Sequence, residues 1–306
     1  MELVTTCQLI YGIPSLSLMI FFFFLPIFER KTLKNPFYHL VQIDLFVNIT
    51  CYLNTWVALR LEKEHFGMEF LVFLEKWIPG VITAACFMTV VYFHLQNVTG
   101  LALAFYRLTS VHFFNSEYYW SRLYPLVPVI GIAYSFMVLA PWWATGELVT
   151  RAVLVDGTIQ KQLNMRALIL LCSFDPIFAV FYFLLVMLIG VWTTTVVLNR
   201  WKKSNSQRHV DFIKKMTRVV YCNSFLMSGN LLFLIVFSVL VLVSPYRATA
   251  FKYQTLVVTF TSDLFTLAMP YILLIFDSNI RRKFGIESSE RSNQYSIKTV
   301  SNAPQN

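Results

Sequence analysis

Charge is scarce in this chain. Of its 306 residues only 13% are Asp, Glu, Lys or Arg, about half the usual share of a globular domain. That leaves too little polar surface for a soluble fold of this size. Glycine (10) and proline (11) are also sparse, which excludes collagen-like and disordered low-complexity chains. The five cysteines, Cys7, Cys51, Cys86, Cys172 and Cys222, all lie within or at the edge of apolar runs. Their odd number and the absence of CxxC spacing argue against a disulfide framework and against a zinc site. They read as buried thiols acting as small hydrophobes. No HExxH, no GxSxG and no histidine-rich cluster is present, and only His94 of the five histidines is deep in an apolar run. No catalytic residue, metal site or cofactor is therefore expected. The halves share no obvious repeat, which weighs against a repeat-built transporter.

Apolar residues, by contrast, make up 57% of the chain, and 29 of them are Phe. They gather in seven runs at about 7–28, 37–60, 77–106, 123–145, 167–198, 218–243 and 253–276, each near the ~20 helical residues that cross a bilayer core. The chain thus reads as all-α, a seven-transmembrane helix bundle over residues 1–285, followed by a disordered polar tail at 286–306. The first run is too long for a signal-peptide core and has no small-residue cleavage site, so it reads as a retained span. Its Phe21–Phe24 block suits lipid contact.

The net charge of +9 is informative by its placement. Roughly two thirds of the Lys and Arg residues fall on one side of the spans, and positive loops stay cytoplasmic. The N-terminus is then outside and the C-terminus inside. No nucleic-acid signature accompanies the basic residues, so no nucleic-acid partner is expected; the lipid bilayer is. The most basic stretch, Asn199 to Arg218, reads as a loop that could dock a protein or anionic lipid, although positive-inside topology alone would produce it. After the last run, Ile280, Phe284 and Ile286 with Arg281, Arg282 and Lys283 suit a short surface helix. Trp56, Trp77, Trp142, Trp143 and Tyr246, near the presumed outer ends, suit a headgroup belt or the wall of an apolar pocket. The segment between Gly146 and Arg166 has no cysteine, so it cannot be pinned to the third span by a disulfide. The sequons at Asn48 and Asn97 lie inside spans, where glycosylation does not reach.

Ionisable residues inside spans cost about 2.5–3.5 kcal/mol each on insertion scales, so each needs a partner or a purpose. Asp44 and Asn48 in the second run, with His94, Gln96 and Asn97 in the third, suggest a polar cluster that rearranges on activation; static interhelical glue is the plain alternative. Asp175, next to Pro176 in the fifth run, and Asp263 in the seventh are candidates for ligand contact, though either could satisfy a neighbouring helix instead. Pro270-Tyr271 suits a hinge near the inner end, or a tolerated proline.

Two stretches carry a family resemblance, PFYHLVQIDLFVNITCYLNTWVALRL from Pro36 and FYRLTSVHFFNSEYYWSRLYP from Phe105. With Phe37-Tyr38, Asp44, Asn48, Asn54 and Arg60 in the first, and Arg107 to Val111 and Trp120 in the second, the chain resembles the nematode serpentine receptors of class gamma (Srg), with the related V class close by. Span layout extends the likeness over about residues 7–285. The resemblance implies a seven-span chemoreceptor in the plasma membrane of sensory cilia. Its implied partners are a small-molecule ligand and a heterotrimeric G protein, with a receptor dimer left open. It also implies that Arg107, which could otherwise be a snorkelling anchor, helps to switch signalling at the inner face. Tyr106 departs from the pattern, standing where the family has Asn before the Arg. A ligand-gated ion channel of the odorant-receptor type and a small-solute transporter are the alternatives; the channel type would have the opposite orientation.

Overall fold

The computed structural model describes residues 3–29, 33, 35–113, 115–146, 148–155, 157–203, 207–243, 259–276 and 280–281. In chain order these form α1 (Leu3–Phe28), α2 (Pro36–Thr55), α3 (His65–Trp77), α4 (Val81–His112), α5 (Ser116–Leu123), α6 (Leu126–Val138), α7 (Ala140–Thr145), strands β1 (Thr150–Val155) and β2 (Thr158–Leu163), α8 (Met165–Lys203), α9 (Gln207–Leu242) and α10 (Thr259–Phe276). Five helices, α1, α4, α8, α9 and α10, are long and apolar enough to cross a membrane. The pair α5 and α6, bent by 56°, makes a sixth if it is one span. The bend falls at Tyr124-Pro125, where the proline has no N–H to continue the helical ladder and its ring crowds the preceding turn. α2 is as long but more polar, with Gln42, Asp44, Asn48 and Asn54 along it. The chain is an integral, multi-pass membrane protein with a GPCR-like helical bundle.

The core explains the order of packing. α1, α2, α4, α5 and α10 share one apolar cluster that includes Met19, Leu40, Leu45, Leu103, Trp120 and Leu273. The outward faces stay apolar too, as with Ile13, Ile177, Leu188 and Met137, which fits lipid rather than water as their solvent. The Phe21–Phe24 block divides accordingly: Phe21 and Phe24 face outward and Phe22 packs inside.

Two connections at one end, called here the hairpin end, depart from expectation among the described residues. The link between α2 and α4 contains an amphipathic helix, α3. The chain leaves α2 through a π turn (Trp56–Arg60) and a 3-10 turn (Leu61–Lys63) before entering it. Gly67 lets α3 lie directly on that turn, since a Cβ there would stand 2.1 Å from the Leu61 carbonyl oxygen. The link between α7 and α8 is an antiparallel hairpin, pairing Thr150 with Leu163 through Val155 with Thr158. The described elements are otherwise helical. The hairpin rests on α4 through Ala152 N–H, which donates to Thr83 Oγ1 at 3.0 Å, and on the turns that follow α2 through Lys161, which reaches Glu62 at 2.5 Å and the Ala58 carbonyl at 2.5 Å. Leu71, Ile82, Ala152 and Ile159 fill the space between.

At the opposite end, the α5 end, the Asn199–Arg218 stretch is mostly helix rather than loop: α8 continues to Lys203 and α9 begins at Gln207. At 1.5 Å per residue both helices outrun a ~30 Å hydrocarbon core, so polar residues continue a helix that the core has already stabilised. The side chains from Arg200 to Tyr221, as well as those of Trp143 and Tyr246, lie outside the described residues. So do the tail at 286–306 and, of the expected surface helix, all but Ile280 and Arg281.

Candidate functional site

A cavity of about 400 Å3 lies inside the bundle beneath the hairpin. α2, α4, α8, α9 and α10 contribute to its wall, with α7 and the hairpin above. The lining is mostly apolar, including Phe93, Leu139, Leu171 and Phe233. Two polar atoms of lining residues, Asp175 Oδ1 and Trp142 Nε1, have no hydrogen-bond partner among the described residues, whereas Ser238 bonds the Cys172 thiol. Asp175 and Trp142 are buried, at 7% and 8% exposure. A buried polar group left without a partner costs about 1–3 kcal/mol, so the two mark a wall suited to a polar occupant.

α8 sets this geometry. Asp175, Phe178 and Tyr182 follow at helical spacing and face His94 on α4. The Phe178 ring centroid is 5.5 Å from that of His94. His94 Nε2 stands 4.0 Å from Asp175 Oδ1, and its Nδ1 is 2.9 Å from the Tyr182 hydroxyl, which donates to Tyr134 on α6 at 3.1 Å. His94 thus backs the cavity wall through Asp175. α8 runs through Pro176 without a break.

The polar cluster between α2 and α4 differs in membership from the one expected. Asp44 accepts from Thr99 at 2.6 Å and from Asn48 at 3.0 Å. Gln96 donates to Asn48 at 2.7 Å and to Thr266 of α10 at 3.1 Å. His94 is not in this set, because it faces α8. Asn97 is not either: its amide donates to the Phe93 carbonyl of its own helix at 2.7 Å. On an α-helix, residues 96 and 99 share a face and 94 and 97 turn away from it.

Asp263 does not line the cavity. Its carboxylate forms a buried ion pair with Arg60 and accepts the Tyr11 hydroxyl at 2.5 Å. Arg60, the last residue of the second apolar run, is brought inside by the π turn, with its guanidinium over the rings of Tyr52 (5.0 Å) and Trp56 (5.1 Å). Two further links flank this pair along α1 and α10: Gln8 donates to Thr259 at 3.0 Å, and Ser15 and Tyr271 share a hydroxyl bond of 2.8 Å. The helix of α10 is interrupted by a turn at Leu267. Pro270, which is buried, has no N–H for the Thr266 carbonyl and its ring crowds that group.

Arg107 lies near the α5 end, buried, with its guanidinium 5.4 Å from the Phe37 ring centroid. Its neighbour Tyr106 is built into the same end. The ring packs between Phe37 (5.9 Å) and Trp120 (5.5 Å), and the hydroxyl donates to Asn35 Oδ1 at 2.6 Å. Asn35 also caps α2 by accepting from Phe37 N–H and donates to Glu117 of α5 at 2.7 Å. Trp120 closes the group by donating to Thr109 at 2.8 Å.

Several of these partners escaped the sequence reading: Tyr11, Thr266, Tyr134 and Tyr182. Each is one polar residue in an apolar run, and only the long-range packing gives it a role. Among the described residues no three His, Cys, Asp or Glu side chains converge as metal ligands would.

Comparison with known proteins agrees with this architecture. A family profile described as "Srg family chemoreceptor" matches residues 5–284. Serpentine receptor class gamma-47 of Caenorhabditis elegans is 30% identical over 287 residues, covering 92% of this chain and 89% of that protein. Serpentine receptor class gamma-53 of the same organism is 30% identical over 282 residues, covering 90% and 89%.

Proposed function

Because the chain belongs to the Srg family of chemoreceptors, we propose that it detects a small molecule held in the cavity beneath the hairpin and activates a heterotrimeric G protein from the α5 end. It is a chemosensory serpentine receptor and not an enzyme. The observation that carries the ligand reading is the cavity itself, whose mostly apolar lining includes two buried residues, Asp175 and Trp142, each with a polar atom unpartnered among the described residues. A ligand fitted to it carries a donor for Asp175, an acceptor for Trp142 Nε1 and an apolar body.

Counting α2 among the spans, with the bent pair as one, gives seven. Seven crossings and the charge bias support an outside N-terminus and a cytoplasmic α5 end, and the chemoreceptor family supports a position in the plasma membrane of sensory cilia. The ligand shifts an existing equilibrium by binding one arrangement of the bundle more tightly. The Asp44–Gln96–Thr266 set joins α2, α4 and α10 and is placed to register that shift. The Pro270 break in α10 lets its inner end move, and Arg107 is the group it exposes to the G protein.

The test uses the full chain in cultured cells, tagged at both ends. Tag staining in intact and permeabilised cells reads the topology. A panel of small volatile and water-soluble molecules is then screened by GTPγS loading of membranes. Asp175→Asn is expected to weaken the response to an agonist at equal surface expression, and Arg107→Ala to abolish loading with delivery intact. An inside N-terminus, or agonist-evoked currents without GTPγS loading, would favour the channel reading instead.

A further inference from the structure

The hairpin end carries a second cleft that the ligand cavity does not account for. About 520 Å3 in volume, it lies between the start of α4 and β1, with Glu75, Thr83, Ala84 and Arg151 on its walls. Phe87 and Leu148 line both this cleft and the cavity, so these two side chains form the partition. Neither is fully buried. The Phe87 ring meets Phe136 in a tilted contact at 6.1 Å, and Leu148 belongs to the short segment between α7 and β1.

The cleft's depth relative to the bilayer follows from α3. Phe66, Phe70, Phe73 and Trp77 recur at helical spacing along it and are 78%, 41%, 53% and 75% exposed. The opposite face buries Leu71 against Ile82, Ala152 and Ile159. α3 is tied at one end to α2 and at the other to membrane-spanning α4, so it cannot leave the bilayer surface. Leu53 on α2 and Ile78 just after α3 are exposed apolar residues as well. Phe and Trp side chains on an amphipathic helix at this depth seat in the lipid interface. Glu75 belongs to the same helix and stands at the cleft, where it accepts Gly80 N–H at 2.6 Å, so the cleft opens at that level.

We propose that small amphipathic molecules concentrated at the bilayer surface enter the cavity through this cleft, with Phe87 and Leu148 as its gate. The proposal rests on the reading of the cavity as the ligand site. It assigns the ligand class as one that partitions into the lipid interface before it binds.

Cys172 makes the entrance testable without a known ligand, since it is buried on the far wall of the cavity. Cys222 is the control; it lines a different groove, between α1, α9 and α10. The full chain in membranes is exposed to N-ethylmaleimide, which is uncharged and enters lipid, or to a trimethylammonium methanethiosulfonate, which is charged. Modification of each cysteine is followed by peptide mass spectrometry, with rates normalised to free glutathione. Phe87→Trp and Leu148→Trp are expected to slow maleimide labelling of Cys172 about tenfold, the factor equivalent to ~1.4 kcal/mol, and Phe87→Ala to speed it. Cys222 should label alike in all of them, and the charged reagent should lag at Cys172. Equal Cys172 rates in all three variants, or faster labelling by the charged reagent, would overturn the proposal. Gate-dependent labelling without any agonist response would instead remove the ligand-site reading and leave the entrance in place.

Discussion

Arg60 and Asp263, 203 positions apart in the sequence, form an ion pair inside the bundle with side chains only 2% and 3% exposed. The pair joins the end of α2 to α10, and Tyr11 adds α1 through the second carboxylate oxygen. Three helices thus meet at one charge pair. Removing one member leaves the other charge buried and unpaired, which costs about 3–5 kcal/mol. Asp263→Ala and Arg60→Ala should therefore each lower the unfolding temperature in detergent sharply. The double variant Arg60→Met/Asp263→Leu should recover most of that loss. Additive losses would show that the two residues act separately.

Asp44→Asn keeps the size of the side chain but gives it a donor where two donors, Thr99 and Asn48, already point. The expected result is near-normal surface expression with altered basal GTPγS loading, because the set of bonds reaching Thr266 must rearrange. Basal and agonist-stimulated loading both equal to wild type at matched expression would assign Asp44 a static role.

Tyr106 is a structural part of the α5 end. Tyr106→Phe removes one hydrogen bond to Asn35 and should cost about 1 kcal/mol. Tyr106→Asn, the residue of the family pattern, empties the space between Phe37 and Trp120 and should cost about 3 kcal/mol or more. Thermal melts of the two variants in one detergent give the order directly; a stabilised Asn variant would contradict the packing argument.

Lys161 is the hairpin's ionic tether to the turns that follow α2. The pair with Glu62 is partly exposed, 18% and 30%, so its loss should cost only about 1 kcal/mol. Lys161→Met is expected to leave the bundle's melting nearly unchanged while speeding protease cleavage near Gly157. High salt should reproduce the effect in the wild type. A hairpin equally resistant in the variant would locate its anchoring in Ala152–Thr83 and the Leu71–Ile82 cluster instead.

Most of the bundle was legible because lipid-facing helices need long apolar runs, and those leave an unmistakable mark on the sequence. Asp44, Asp175 and Asp263 were visible for the same reason, as costly exceptions within such runs. Their partners were not, since nothing local distinguishes Tyr11 or Thr266 from other polar residues at similar depth. The inward position of Arg60 was not legible, because it precedes Glu62, Lys63 and Glu64 and so resembles the start of a loop. A π turn fits one extra residue into a helical turn, and it is this shift of register that aims Arg60 inward. The hairpin did leave a trace, the Asp156-Gly157 pair between two alternating segments, a strong hairpin signal. Gly157 takes the positive φ (77°) that such a turn asks for. α3 left less, because thirteen residues of mixed polarity between two spans suit a loop as well as a helix.

All five cysteines are free thiols, so the cover over the cavity is fastened by an ion pair, a few hydrogen bonds and a small apolar cluster, with no covalent stitch. Each polar fastening contributes on the order of 1 kcal/mol, a barrier that thermal motion crosses readily. Nothing in this attachment depends on the redox state of the surroundings, so reductants should leave the hairpin seated as it is, which simplifies handling of the purified protein.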